Sequence, residues 1–211
     1  MVSVKTRGWG SSTAAVVREL ADAGEPLKQR EIAARCATSQ PRVSQVLVRL
    51  ASDGLVRRTD HGWVGDRTPL VRTYLDRYRT REVERESWWY ALDTLTEQVE
   101  RVVPAGERVA VSADLATDLT TPWRRPSTVI VWAAAPLDLS SRGFVPAESR
   151  AAATVIVRTT DDARLFAGVT VVDGLPLADR FQQASDLLDL GGSDRAEAVA
   201  VLLGLPDGET P

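Results

Sequence analysis

Between Ser39 and Thr59 the chain spells out a helix, its stop and the start of a strand. Val43, Val46, Leu47 and Leu50 stand at i, i+3, i+4 and i+7, and a period near 3.6 places all four on one face of a helix. Thr38 or Ser39 can cap that helix, and Pro41 suits its first turn, where a missing N–H costs little. The helix runs to about Ser52, and Gly54 closes it. Leu55 to Thr59 then begins a strand, Asp60-His61-Gly62 is a turn, and Trp63-Val64 starts the return strand. Such a helix needs partners for its apolar stripe, and the preceding sequence supplies them. A second helix is expected from Gln29 to Cys36, with Ile32, Ala33 and Cys36 inward. A first is expected from Thr13 to Ala23, with Val16, Val17 and Leu20 on one face, Ser11 or Ser12 as cap and Gly24 as stop. Leu27 lies between them as a short strand able to pair with the hairpin.

The face opposite the apolar stripe presents Pro41, Arg42, Ser44, Gln45, Val48 and Arg49. These are the groups that read a DNA major groove. Arg bonds guanine at O6 and N7, Gln bonds adenine at N6 and N7, and an exposed Val meets a thymine methyl. The candidate DNA-contacting residues are therefore Ser39, Gln40, Arg42, Ser44, Gln45 and Arg49 on the helix, and Arg57, Arg58 and His61 on the hairpin. In this reading Ser39 and Ser44 meet the backbone, and the helix N-terminus itself favours a phosphate.

Charge follows the same division. Residues 1–85 hold 16 Lys and Arg against 10 Asp and Glu, a net +6. Residues 86–211 hold 10 against 19, a net −9. A basic N-terminal part joined to an acidic remainder points to a polyanion-binding module on a body that does not bind polyanions. The segments 39-SQPRVSQVLVRL-50 and 53-DGLVRR-58 resemble the winged helix-turn-helix domains of bacterial repressors of the MarR, ArsR and IclR kinds, over about residues 11–66. That resemblance implies DNA binding.

A helix is next expected from Thr68 to Arg81, with Leu70, Val71, Tyr74, Leu75 and Tyr78 as its apolar stripe and Arg72, Arg77, Arg79 and Arg81 along its sides. Glu86 to Leu92 is a strand, and its adjacent Trp88, Trp89 and Tyr90 point to alternate faces, which suits core packing and an inter-domain joint better than base stacking. Thr94 and Glu97 are spaced as a capping box for a helix to Val103. Beyond it lies an alternating pattern. Strands are expected at Arg108 to Val111, Thr128 to Ala133, Ala153 to Thr159 and Val169 to Val172. Helices are expected from Ala113 to Leu119 capped by Ser112, from Leu177 to Leu190, and from Ser193 as cap to Leu203, with a turn of helix at Leu137 to Arg142. Thr121 to Pro126 is a loop whose Arg124 and Arg125 could meet an anion or an acidic partner.

The runs 109-VAVSADLATDLTTPWRRPSTVIVWA-133, 136-PLDLSSRGFVPAES-149, 154-TVIVRTTDDARLF-166 and 176-PLADRFQQASDLLDLGGSDRAEAVAVL-202 resemble AbiEi-family antitoxins and regulators. That resemblance implies a nucleotidyltransferase-like α/β domain behind the winged helix, and a role as antitoxin and autorepressor or as a plain transcription regulator. Nucleotidyl transfer needs a Gly-Ser opening for the triphosphate and two or three carboxylates for metal ions. Ser112-Ala113-Asp114 stands where Gly-Ser would be, Thr128 to Ala133 carries no acid, and Asp138 is alone. Asp161 and Asp162 are adjacent, which suits a helix cap, and Asp114 and Asp118 read as solvated on one helix face. No enzymatic activity is expected.

The fold class expected is α+β, a winged helix-turn-helix followed by a mixed α/β nucleotidyltransferase-like domain. The divisions are residues 1–67, a connecting helix, strand and helix over 68–104, the second domain over 105–205, and a frayed tail over 206–211. One cysteine, Cys36, excludes an internal disulfide and fits a reducing cytoplasm. With His61 it cannot build a Cys/His zinc site, so no metal or cofactor is expected. No apolar run reaches the roughly 18 residues of a membrane span, and the N-terminus lacks the apolar core of a signal peptide. The partners expected are double-stranded DNA and a cognate toxin protein, and a homodimer would fit a palindromic operator. Two alternatives stand beside this: a protein-binding antitoxin that works without DNA, and a nucleotidyltransferase.

Overall fold

Val43 and Leu47 are fully buried in the computed structural model, which describes residues 10–77, 83–105, 108–122 and 125–206. The chain separates into two units, Met1–Arg79 and Thr80–Pro211. The first holds α1 (Ser11–Asp22), α2 (Gln29–Arg35), α3 (Gln40–Ser52), β1 (Val56–Arg58), β2 (Trp63–Gly65) and α4 (Arg67–Arg77). Its core residues come from every helix: Val16, Val17 and Leu20 of α1, Ile32 of α2, the α3 stripe, and Leu70, Val71, Tyr74 and Leu75 of α4. Cys36 is buried among them, as a small apolar residue would be.

The helix ends account for the turns. Ser39 caps α3 by accepting from the Arg42 amide, and Pro41 sits in the first turn. Both α2 and α3 end in the same motif. After α3, Leu55 N–H bonds the Leu50 carbonyl and Gly54 N–H that of Ala51, with Gly54 at φ 72°. After α2, Thr38 N–H bonds Ala33 and Ala37 N–H bonds Ala34, with Ala37 in the left-handed region at φ 46°. β1 and β2 pair antiparallel, and Leu27 adds a short third strand through two hydrogen bonds with Trp63, at 2.8 and 3.0 Å. Gly62 makes that approach possible, since a Cβ there would lie 2.6 Å from the Leu27 carbonyl oxygen.

Several expectations are corrected. α1 begins directly after Gly10 with no side-chain cap and ends at Asp22, with Ala23 rather than Gly24 at the position that closes it. Residues 68–104 are no separate connection: α4 packs on α1 in the first unit, and the strand and helix that follow belong to the second. Tyr78, Arg79 and Arg81, expected at the end of α4, lie outside the described residues, as do residues 1–9, Trp123, Arg124 and residues 207–211.

The second unit is built on a seven-stranded mixed sheet in the order β6-β3-β7-β5-β4-β9-β8. Its strands are β3 (Arg85–Tyr90), β4 (Val109–Ser112), β5 (Val129–Ala133), β6 (Val145–Pro146), β7 (Val155–Thr159), β8 (Thr170–Val172) and β9 (Leu175–Leu177). Its helices are α5 (Leu95–Val102), α6 (Ala113–Thr120), α7 (Ala163–Ala167), α8 (Arg180–Leu190) and α9 (Ser193–Leu203). The central strands are buried at every position because both sheet faces are covered. One face carries Val111, Val129, Val131, Val155 and Val157 against Val99, Val102, Leu115 and Phe144. The other carries Ala110, Ile130, Trp132 and Ile156 against Leu165 and Ala178.

Thr94 and Glu97 form the capping box of α5 as expected. Asp162 caps α7 by accepting from the Arg164 amide. The helix expected to start at Leu177 starts at Arg180, because Leu175–Leu177 pairs as a strand and Asp179 caps the helix through the Phe181 and Gln182 amides. Gly192, not Ser193, is the cap position of α9. Trp89 is core, whereas its neighbours Trp88 and Tyr90 are each 38% exposed. No described helix is long and apolar enough to cross a membrane.

Candidate nucleic-acid interface

The burial of Val43, Val46, Leu47 and Leu50 turns the rest of α3 outward. Gln40, Pro41, Arg42, Gln45, Val48, Arg49 and Ser52 are exposed, and Ser44 is half-buried at the edge of the face. Arg42 Nη1 donates to Gln45 Oε1 at 3.4 Å, one helical turn away. The Ser39 hydroxyl is engaged as the cap acceptor, which leaves its own hydrogen free to meet a phosphate. The Gln40 carbonyl accepts from Gln29 Nε2 at 2.9 Å, tying the start of α3 to the start of α2 while the Gln40 side chain stays in solvent. Among the described residues no carboxylate pairs with Arg49, Arg57 or Arg58, so these three guanidiniums are available to an outside anion.

The hairpin places its residues less uniformly. Arg57 stands opposite Val64 and Arg58 opposite Trp63, next to the turn. Adjacent strand residues point to opposite faces. Val56 is buried, so Arg58 shares its face and Arg57 takes the outer one. The two arginines, expected together on the tip, thus address two sides of the ribbon, with exposed His61 in the turn between the strands. Val48 and Ser52 were outside the candidate set. Both were legible in sequence, Val48 as an apolar residue off the apolar stripe and Ser52 as the end of the expected helix on the same face.

In the second unit, Ser112 and Asp114, the residues weighed in sequence for nucleotidyl transfer, are engaged in internal contacts. Ser112 ends β4, Ala113 follows in the left-handed region at φ 63°, and Asp114 opens α6. Ser112 was expected to cap that helix, but its hydroxyl donates to Asp186 at 2.6 Å instead. Asp114, expected in solvent, is 3% exposed. Its Oδ1 accepts from Arg195 Nε at 2.8 Å, and its Oδ2 accepts from Arg195 Nη2 at 2.8 Å and from Ser127 N, Ser127 Oγ and Thr128 N at 3.1 Å. Burial pushes this carboxyl up, but the Arg195 and Ser127 bonds outweigh it and hold the group below its ordinary range.

Asp186 is buried beneath the sheet face and accepts from Trp132 Nε1 at 2.8 Å and Arg158 Nη1 at 2.9 Å as well. Burial raises its pKa despite the arginine. Arg158 also pairs with Glu86 and Asp189, and Arg150 joins the same two acids. Among the described residues no three His, Cys, Asp or Glu side chains are grouped to hold a metal ion.

Comparison with known families fits this geometry. Residues 10–62 match the MarR family, covering α1 through the turn of the hairpin. No curated protein matches the chain. The chain therefore carries a MarR-family winged helix-turn-helix domain at its N-terminus, with α3 as the second helix of the motif and β1–β2 as the wing, and this domain supports a DNA-binding transcription regulator.

Proposed function

We propose that the protein is a sequence-specific DNA-binding regulator that acts as an autorepressor, with the AbiEi-type antitoxins as its kin. The exposed polar face of α3 carries the reading. Arg42, Gln45 and Arg49 enter the major groove, Ser39, Gln40 and Ser44 lie toward the backbone, and Arg57, Arg58 and His61 reach phosphate or the adjacent minor groove. Among the described residues the wing arginines have no carboxylate partner to give up on binding. The test is a gel-shift series with the full chain on duplexes from the region upstream of its own gene. Retention of one duplex far above scrambled competitors supports the reading, and no retention at low salt overturns it.

The second domain is read as a nucleotidyltransferase-like fold without catalytic activity. Asp114 supports this, since both its oxygens are engaged inside the unit, by Arg195, Ser127 and Thr128. Magnesium-dependent transfer from a labelled nucleoside triphosphate would overturn it. A second reading, a protein-binding antitoxin, draws on exposed Trp88 and Tyr90, with Val145 paired beside Tyr90 at the sheet edge. Such a protein would bind its toxin equally well after substitution of Arg49 and Arg57.

A further inference from the structure

The buried stripe of α3 also decides which residues stand furthest out. At about 100° per residue, Pro41, Gln45, Val48 and Ser52 fall within about 30° of the direction opposite the stripe. Arg42 and Arg49 turn about 70–90° to one flank, and Ser44 turns about 70° to the other. Exposure follows this ordering: Val48 is 64% exposed and Ser44 is half-buried. The crown of the helix is therefore not its arginines. It is an amide and a branched apolar side chain, three residues apart, with a proline and a serine at the ends.

Gln45 and Val48 are i, i+3 neighbours, with Cβ atoms about 5–6 Å apart. An A·T pair offers a matching couple in the major groove: adenine N6 and N7 as donor and acceptor, and the thymine C5-methyl beside them. Gln45 Nε2 is free to donate to N7, and Oε1, steadied by Arg42, retains a lone pair for the N6 hydrogen. Val48 has no polar atom to satisfy and gains by covering a methyl. A G·C pair would leave Val48 only the cytosine C5–H where the methyl stood, and would set the guanine O6 acceptor against the Gln45 carbonyl oxygen.

We propose that the base pairs at the centre of each half-site are A·T, with Gln45 reading adenine and Val48 acting as a specificity-determining residue through a thymine C5-methyl. This rests on the DNA-binding reading. Arg42 and Arg49, on the flank, reach past that pair along one strand.

The experiment selects tight binders to the full chain from a random duplex library. It then replaces each thymine of the selected site by uracil, one at a time, and measures binding to the wild-type protein and to Val48→Ala. Val48 touches solvent over most of its surface, and circular dichroism confirms that the variant is folded. Loss of the contacted methyl should weaken wild-type binding about fourfold, the worth of one buried methyl group. The Val48→Ala protein should show no such loss at that position. Replacing the paired or neighbouring adenine by 7-deazaadenine should weaken the wild type and leave Gln45→Ala unchanged. A selected centre made of G·C pairs overturns the inference, and so do uracil effects equal in the two proteins. In both cases DNA binding itself stands. Failure of the full chain to retain any duplex at about 50 mM salt overturns the DNA-binding reading and the inference with it.

Discussion

Arg195, in the first turn of the last helix, holds both oxygens of Asp114 at the start of α6, each at 2.8 Å from a guanidinium nitrogen. The side chain of Asp114 is fully buried and that of Arg195 is 13% exposed. Removing one partner of such a pair leaves an uncompensated charge, at a cost of about 3–5 kcal/mol. Ser127 and Thr128 still donate to Asp114, so Arg195→Ala is expected at the lower end, about 3 kcal/mol. Arg195→Lys keeps the charge but not the paired geometry and should lose less. Urea unfolding followed by tryptophan fluorescence checks this. A midpoint unchanged in Arg195→Ala would mean that the pair is not formed in solution.

The same pair sets a pH dependence. The folded pKa of Asp114 lies below its unfolded value, as do those of Glu86 and Asp189 beside Arg158. Their contribution is complete above the unfolded carboxylate range of about 4 and is lost as pH falls through the lower folded values. Asp186 has the opposite sign: its raised pKa makes the ionised form a cost at neutral pH, and protonation offsets part of the acid loss. Thermal midpoints of the wild type should be flat from neutral pH to about 5 and then fall. Asp114→Asn should be less stable at neutral pH and fall less steeply. Parallel curves for the two proteins would show that Asp114 is not a source of the slope.

The first unit was legible in sequence because its signals are local. The α3 stripe, the Ser39 cap, Gly54 and the hairpin residues all lie within about one element of what they determine. The second unit was legible where strands are continuously apolar, as at Val129–Ala133, and misread where an element is three residues long. Leu177 keeps the helical period of Phe181 and Ala184, so period alone carried the helix back across β9. Asp179, a good cap that accepts from the Phe181 and Gln182 amides, was the local signal that could have stopped it. Asp114 and Arg195 are far apart in the chain, and nothing near either residue announces the other. The same holds for Ser112 and Asp186, which a strand and a helix bring together only in the folded unit.

Ala37 provides a test of the helix-turn-helix turn. It occupies the left-handed position that Gly54 fills in the same motif after α3. An L-residue with a Cβ pays about 1–2 kcal/mol there, and glycine gives back about 0.4–1 kcal/mol through its freer unfolded chain. Ala37→Gly should therefore stabilise the first unit by about 0.5–1 kcal/mol. Hydrogen exchange of peptides from α2 and α3, read by mass spectrometry, should slow accordingly. Faster exchange would mean that the turn is not built as described.

Arg49 and Arg57 separate the two parts of DNA recognition. Both are exposed and neither has a carboxylate partner among the described residues, so replacing either by alanine strands no buried charge and should leave the fold intact. Arg49 stands on α3 beside the residues at its crown, and a groove contact from it differs between sequences. Arg49→Ala should lose about 1–3 kcal/mol at the preferred site and little on unrelated duplex, narrowing the gap between them. Arg57 lies on the outer face of the wing, where the proposed partner is phosphate. Arg57→Ala should weaken all duplexes alike and reduce the slope of log K against log salt by about 0.9, the counterion equivalent of one phosphate contact. Anisotropy titrations of both variants on specific and scrambled duplexes, at several salt concentrations, distinguish the two behaviours. If Arg57→Ala changed specificity and left the salt slope at the wild-type value, the wing would be reading bases and the assignment of its outer face to phosphate would be wrong.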